Sequence, residues 1–187
     1  MNVVIFGPPG AGKGTQSNNI VEKFNLYQVS TGDLLRNEVK NKTDIGKDIE
    51  NIISKGDFAT DEIVNELIKN IVFDPVKRSN LIFDGYPRSL AQAENLDLLL
   101  MNTNQKIDFI FFLNVNKNTI VKRIEKRKLL EKRSDDNSNI ILKRYDTYME
   151  TTKPVLDFYS KKPNFYEIDG DGKIAEISSK IEHILSV

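Results

Sequence analysis

The sequence contains no cysteine, no tryptophan and a single histidine among 187 residues. Without cysteine there is neither a disulfide framework nor a cysteine-ligated zinc site. One histidine, His183, cannot build a histidine metal cluster; it falls in a helical pattern near the C-terminus and reads as a solvated or half-buried side chain. Neither sign of charge is in surplus, since Lys+Arg and Asp+Glu both number 27. That balance argues against a dedicated nucleic-acid or membrane-surface binder. No apolar run is long enough to span a bilayer. The first residues run straight into a buried-type strand with no signal-peptide pattern, so the expected location is cytoplasmic. Apolar residues at 39% suit an ordinary globular protein, and the length suits one domain with small insertions.

Strand-like apolar runs recur at 3–6, 81–83 and 109–115, with a weaker one at 165–168. Helical patterns fill the intervals at 14–24, 61–72, 89–101, 117–128, 140–149 and 174–185. The acidic pair Asp61-Glu62 suits a helix N-terminus. Near-continuous apolar strands alternating with helices predict an α/β fold, a parallel sheet covered by helices on both faces. Right-handed crossovers then bring the strand C-termini to one edge, where ligands bind. Two segments break the alternation. Residues 30–59 are helix-rich without an obvious strand and read as an insertion. Residues 129–139 ("LLEKRSDDNSN") read as a short exposed loop. Pro154 is expected to interrupt the helical region at 149–159.

The most informative stretch is "GPPGAGKGT", in which Gly7, Gly12 and Lys13 match G-x-x-x-x-G-K. Glycines let backbone N–H groups converge on phosphate, the next helix contributes its N-terminus, and Lys13 reaches the outer phosphates. The motif places Ser or Thr after the lysine; here Gly14 stands there and Thr15 follows. A direct hydroxyl ligand for Mg²⁺ is therefore missing, and the metal leans on phosphate oxygens and water. After the third strand, "NKNT" (Asn116 to Thr119) imitates the start of a guanine-reading N-K-x-D motif. Thr119 cannot supply the carboxylate that guanine requires, so this segment reads as a helix cap and counts against a GTP switch.

With "STGDLLR" (Ser30 to Arg36) and "DGYPR" (Asp84 to Arg88) beside the cradle, the chain resembles the adenylate kinases. The resemblance continues through "KGDFATDE", "VKRIEKRK", "KRSDD" and "EIDGDGK", nearly the whole length. It implies a P-loop core over residues 1–29, 60–127 and 140–187, an AMP-binding insertion at 30–59 and a short lid at 128–139. It also implies the reaction Mg·ATP + AMP ⇌ 2 ADP, without zinc, nucleic acid or membrane, in a monomer.

The same resemblance assigns residues. Gly10, Ala11, Gly12, Lys13, Gly14 and Thr15 hold ATP, with Arg123, Arg127 and Gly172. Thr31, Arg36, Asp57, Phe58, Ala59, Gly85, Tyr86, Pro87, Arg88 and Gln92 hold AMP, with Arg133 and Arg144. Lys13, Arg88, Arg123, Arg133 and Arg144 are the expected catalytic set. Asp84, closing an apolar strand that faces the cradle, suits a carboxylate that orients the water shell of Mg²⁺. The lid acids Asp135 and Asp136 either pin arginines or keep the loop soluble. Arginine fits such a site because its planar fork grips phosphate and keeps its charge. Ser30 caps a helix while Thr31 faces the ligand. Thr31 stands where related pyrimidine kinases carry alanine, and Gln92 lies one helical turn past Arg88, where an amide can read adenine. The competing readings are a pyrimidine monophosphate kinase and a catalytically silent nucleotide sensor.

Overall fold

The computed structural model describes residues 1–55, 57–77, 79–131 and 138–187, with backbone alone for 127–131 and 138–142. Among them are five strands: β1 (Val3–Phe6), β2 (Tyr27–Ser30), β3 (Leu81–Asp84), β4 (Phe109–Asn114) and β5 (Phe165–Asp169). They form one all-parallel sheet in the order β2-β3-β1-β4-β5. Around it lie α1 (Lys13–Phe24), α2 (Thr31–Lys40), α3 (Asp44–Ser54), α4 (Asp61–Val72), α5 (Leu90–Asn102), α6 (Lys117–Glu131), α7 (Ser138–Thr147), α8 (Lys153–Tyr159) and α9 (Ile174–Leu185).

Alternation along the strands splits the core in two. Val4, Phe6, Phe83 and Ile110 pack with α4, α5, α8 and residues of α2 and α3. Val3, Ile5, Ile82 and Phe111 face the other way, toward α1, α6 and α9. Both faces are thus covered, which is why the strands carry apolar residues at successive positions. The helices that follow β1 and β3 leave on opposite faces: Ile20 of α1 belongs to one core, Leu96 of α5 to the other. Adjacent loops that part in this way open a crevice at the strand C-termini.

Two features of the core differ from the pattern read in the sequence. β2 has no apolar run to announce it, because only Val29 of its four residues is buried and Gln28 and Ser30 are polar. It is an edge strand, paired among the described residues with β3 alone. Pro154 does not break the chain: a π-helical turn, Tyr148–Thr152, widens the helix, and Pro154 sits in the first turn of α8. The wider turn accommodates a residue that has no N–H to give to the turn before it. In the region of the expected insertion, α2 and α3 cross at Gly46, where any Cβ would collide with the Glu38 carbonyl.

Candidate active site

Register builds the site. Asp84, the last residue of β3, lies opposite Ile5 of β1 and Ser30 of β2. The three segments that leave these strands therefore start side by side: the glycine-rich cradle, "TGDLLR" and "GYPR".

The cradle turns tightly, with Ala11 N–H donating to the Pro8 carbonyl at 3.0 Å. Gly10 has φ 83°, and a Cβ there would lie 2.7 Å from Ile124, so conformation and space both demand glycine. Gly12 caps α1 with no side-chain acceptor. The first-turn N–H groups of α1 are thereby left for an anion. Lys13 Nζ donates to the Gly7 and Pro8 carbonyls at 2.7 and 3.2 Å. Gly14 and Thr15 are exposed at the mouth. Arg123 reaches across from α6 and donates to the carbonyls of Ala11 (3.0 Å), Gly170 (2.7 Å) and Gly172 (3.4 Å). It ties the cradle to the turn after β5.

On the other side, Ser30 caps α2 by accepting the Asp33 N–H, as expected. Thr31, buried, donates its hydroxyl to the Gly85 carbonyl at 2.8 Å. Gly85 has φ 76°, and a Cβ there would press within 3.0 Å of Thr31 Oγ1 and Arg88 Nη2. Arg88 Nε donates to the same Gly85 carbonyl at 2.7 Å, and its guanidinium lies 4.3 Å over the Phe58 ring. Arg36 pairs with Asp33 at 2.5 Å. Asp57 pairs with Lys143 of α7 at 2.5 Å. Ala59 is buried in the core. The Tyr86–Pro87 bond is cis, and the buried Tyr86 hydroxyl donates toward Asn65 and the Gln92 carbonyl while accepting from Asn95.

The charges converge. Burial pulls the Arg88 pKa down to about 10, and the neighbouring Arg144 and Arg36 push it the same way, against Asp84. At neutral pH Arg88 remains a cation, so the pocket is a built anion site. The Asp84 carboxyl is pushed above its ordinary range by loss of solvent, opposed by Lys13 and Arg88. A Cβ on Gly14 would stand 3.6 Å from Asp84 Oδ2, so the carboxylate faces the place where the general motif keeps its hydroxyl. One carboxylate over a phosphate cradle fits a hard cation held mainly by phosphate and water. Among the described residues no cluster of three acidic or histidine side chains forms a protein cage for a metal.

Arg133, Asp135 and Asp136 lie outside the described residues, as do residues 132–137 of the expected lid; Arg127 is described in backbone only, within α6. Asn116 caps α6 through the Thr119 N–H at 3.0 Å. Three contributors escaped sequence reading. Thr152, in the π-helical turn, donates to the Arg88 carbonyl at 3.2 Å. Gln28 of β2 lies against the Asp84 carboxylate and favours its charged form. Asp61, read only as a helix-start acid, binds Ser89 and Gln92. A polar residue in an edge strand, or a threonine two places before a proline, carries no signal of its own.

A parallel sheet with a glycine-rich phosphate cradle at its crevice, and an arginine-lined anion pocket beside it, defines a P-loop phosphotransferase. Comparison with known proteins narrows the class. The family profile described as Adenylate kinase matches residues 5–164. The chain is 50% identical to the adenylate kinase of Pelagibacter ubique, with all of both chains covered. It is 36% identical to that of a Nocardioides species over all of this chain and 98% of the other, and 36% identical to that of a Caulobacter species over 100% and 99%. The chain belongs to the adenylate kinase family.

Proposed function

We propose that the protein moves the terminal phosphoryl group of Mg²⁺-bound ATP to AMP, reversibly, giving two ADP. The observation that carries this reading is the adjacency of two anion sites on neighbouring strand ends: the cradle after β1 and the arginine pocket after β2 and β3. Donor phosphates take the cradle's N–H groups. Lys13 exchanges its loop carbonyls for phosphate oxygens. Arg123 and Gly172 line the ATP side. AMP phosphate takes Arg36 and Arg88, and Arg144 stands where charge builds up between the two nucleotides. Catalysis in such a site is positioning and charge neutralisation. Asp84 would hold Mg²⁺ through water, and the metal would offset phosphate charge. Residues 128–139 act as a short lid and 30–59 as the acceptor-binding flap, which exclude water as a rival acceptor.

Thr31 and Gln92 argue for AMP over pyrimidine monophosphates. The deciding experiment is an acceptor screen with ATP as donor, following nucleoside diphosphate formation with AMP, CMP, UMP and GMP. AMP should exceed each of the others in kcat/KM. A preference for CMP or UMP would replace this reading with the pyrimidine one, and no turnover with any acceptor would leave a nucleotide-binding protein only.

A further inference from the structure

We propose that Asp61 is a positioning residue that sets which nucleobase edge the acceptor pocket accepts, by holding the Gln92 amide in one of its two orientations. This rests on the reading that Gln92 faces the base of AMP. Asp61 is the first residue of α4, 31 positions before Gln92, and its carboxylate crosses to α5. Oδ1 accepts from Gln92 Nε2 at 2.6 Å, and Oδ2 accepts from the Ser89 hydroxyl at 2.6 Å. At the other end of the amide, Gln92 Oε1 accepts the Arg88 backbone N–H at 2.7 Å. The Gln92 backbone is held too: its N–H donates to Ser89 Oγ at 3.1 Å, and its carbonyl accepts from Tyr86 at 3.1 Å.

The two amide partners are chemically one-sided. A carboxylate accepts and a backbone N–H donates, so only one orientation satisfies both. Flipping the amide would set Oε1 against the carboxylate and the NH₂ group against the Arg88 N–H. Gln92 is 3% exposed, so water cannot relieve that conflict. An amide carries two N–H bonds and two lone pairs. With one of each engaged, one donor and one acceptor remain, in a fixed order. Adenine presents an acceptor at N1 and a donor at its amino group. Hypoxanthine reverses both. A pinned amide therefore tells the two apart, whereas an amide free to flip would fit either. Selectivity at this position resides in the Asp61–Gln92 pair and not in glutamine alone.

Asp61→Asn tests this on the full-length protein. Asparagine is nearly isosteric but offers one donor and one acceptor, so it pairs with either orientation. AMP and IMP dissociation constants are measured by calorimetry, with kcat for AMP alongside and Gln92→Leu in parallel. The AMP-to-IMP affinity ratio should fall roughly three- to tenfold, the range of one net hydrogen bond. IMP should bind more tightly than to the parent protein, and for AMP the loss should fall on KM more than on kcat. Mere loosening of the fold would weaken both ligands together. If Asp61→Asn fails to give a cooperative thermal transition, Asp61→Ala serves: the Arg88 N–H alone then orients the amide, as in Asp61→Asn, and the ratio should move the same way. A ratio unchanged by these variants and collapsed by Gln92→Leu would overturn the proposal and leave Gln92 as the base reader. A ratio unchanged by Gln92→Leu would overturn both.

Discussion

Arg88→Lys separates charge from geometry in the acceptor pocket. The guanidinium is aimed by the Gly85 carbonyl at 2.7 Å, by Thr31 Oγ1 at 3.4 Å and by the Phe58 ring at 4.3 Å. Lysine keeps the positive charge but offers one ammonium in place of a fork. It should lose one of two prongs on the AMP phosphate, a charged hydrogen bond of about 1.5–3 kcal/mol. That corresponds to a fall of about 10- to 150-fold in kcat/KM for AMP. Stacking on Phe58 is lost as well, lowering stability by about 0.5–1 kcal/mol. KM for ATP should stay within about twofold, because the cradle is built from other strands. The assay is ADP formation with each nucleotide varied in turn. A raised KM for ATP with normal AMP kinetics would place Arg88 on the donor side and refute the assignment.

Lys13→Ala should abolish most turnover while leaving the circular-dichroism spectrum native, since the ammonium lies in the cradle loop, donating to the Gly7 and Pro8 carbonyls, and not in either hydrophobic core; near-normal kcat would refute its role. Asp84→Asn should inactivate the enzyme yet raise its melting temperature in the absence of ligand. The folded pKa of Asp84 lies above the ordinary 3.8. The folded state therefore binds the proton more tightly, and stability from this group is lost as pH rises through the folded pKa. The gain of the variant should be present at pH 8 and vanish near pH 4; a melting temperature lower than the parent's at pH 8 would contradict it. A ligand joining two adenosines through five phosphates should slow hydrogen exchange in both 30–59 and 128–139, whereas AMP should protect mainly 30–59; equal exchange with and without it would refute closure.

Much of this was legible because the relevant physics is local. The cradle must be glycine-rich wherever backbone N–H groups gather on phosphate, and Gly10 meets that need twice, in φ and in space. Apolar runs announced β1, β3 and β4 because both sheet faces are covered. β2 stayed hidden because an edge strand buries one residue, Val29, and fills the rest with polar groups. Part of the site was hidden for a related reason. Gln92 reads from sequence as a free amide, but its partners Asp61 and the Arg88 backbone come together only through the packing of α4 on α5. Thr152 reaches the Arg88 carbonyl only because a π-helical turn precedes Pro154.

The central claim is direct transfer between two nucleotides in adjoining sites. Incubating the protein with ATP labelled in its terminal phosphate, Mg²⁺ and AMP, and then separating the products, tests it most directly. The account predicts label in the β-phosphate of ADP, two ADP formed for each ATP consumed, and little free phosphate. Label released as inorganic phosphate, or retained in ATP, would contradict it.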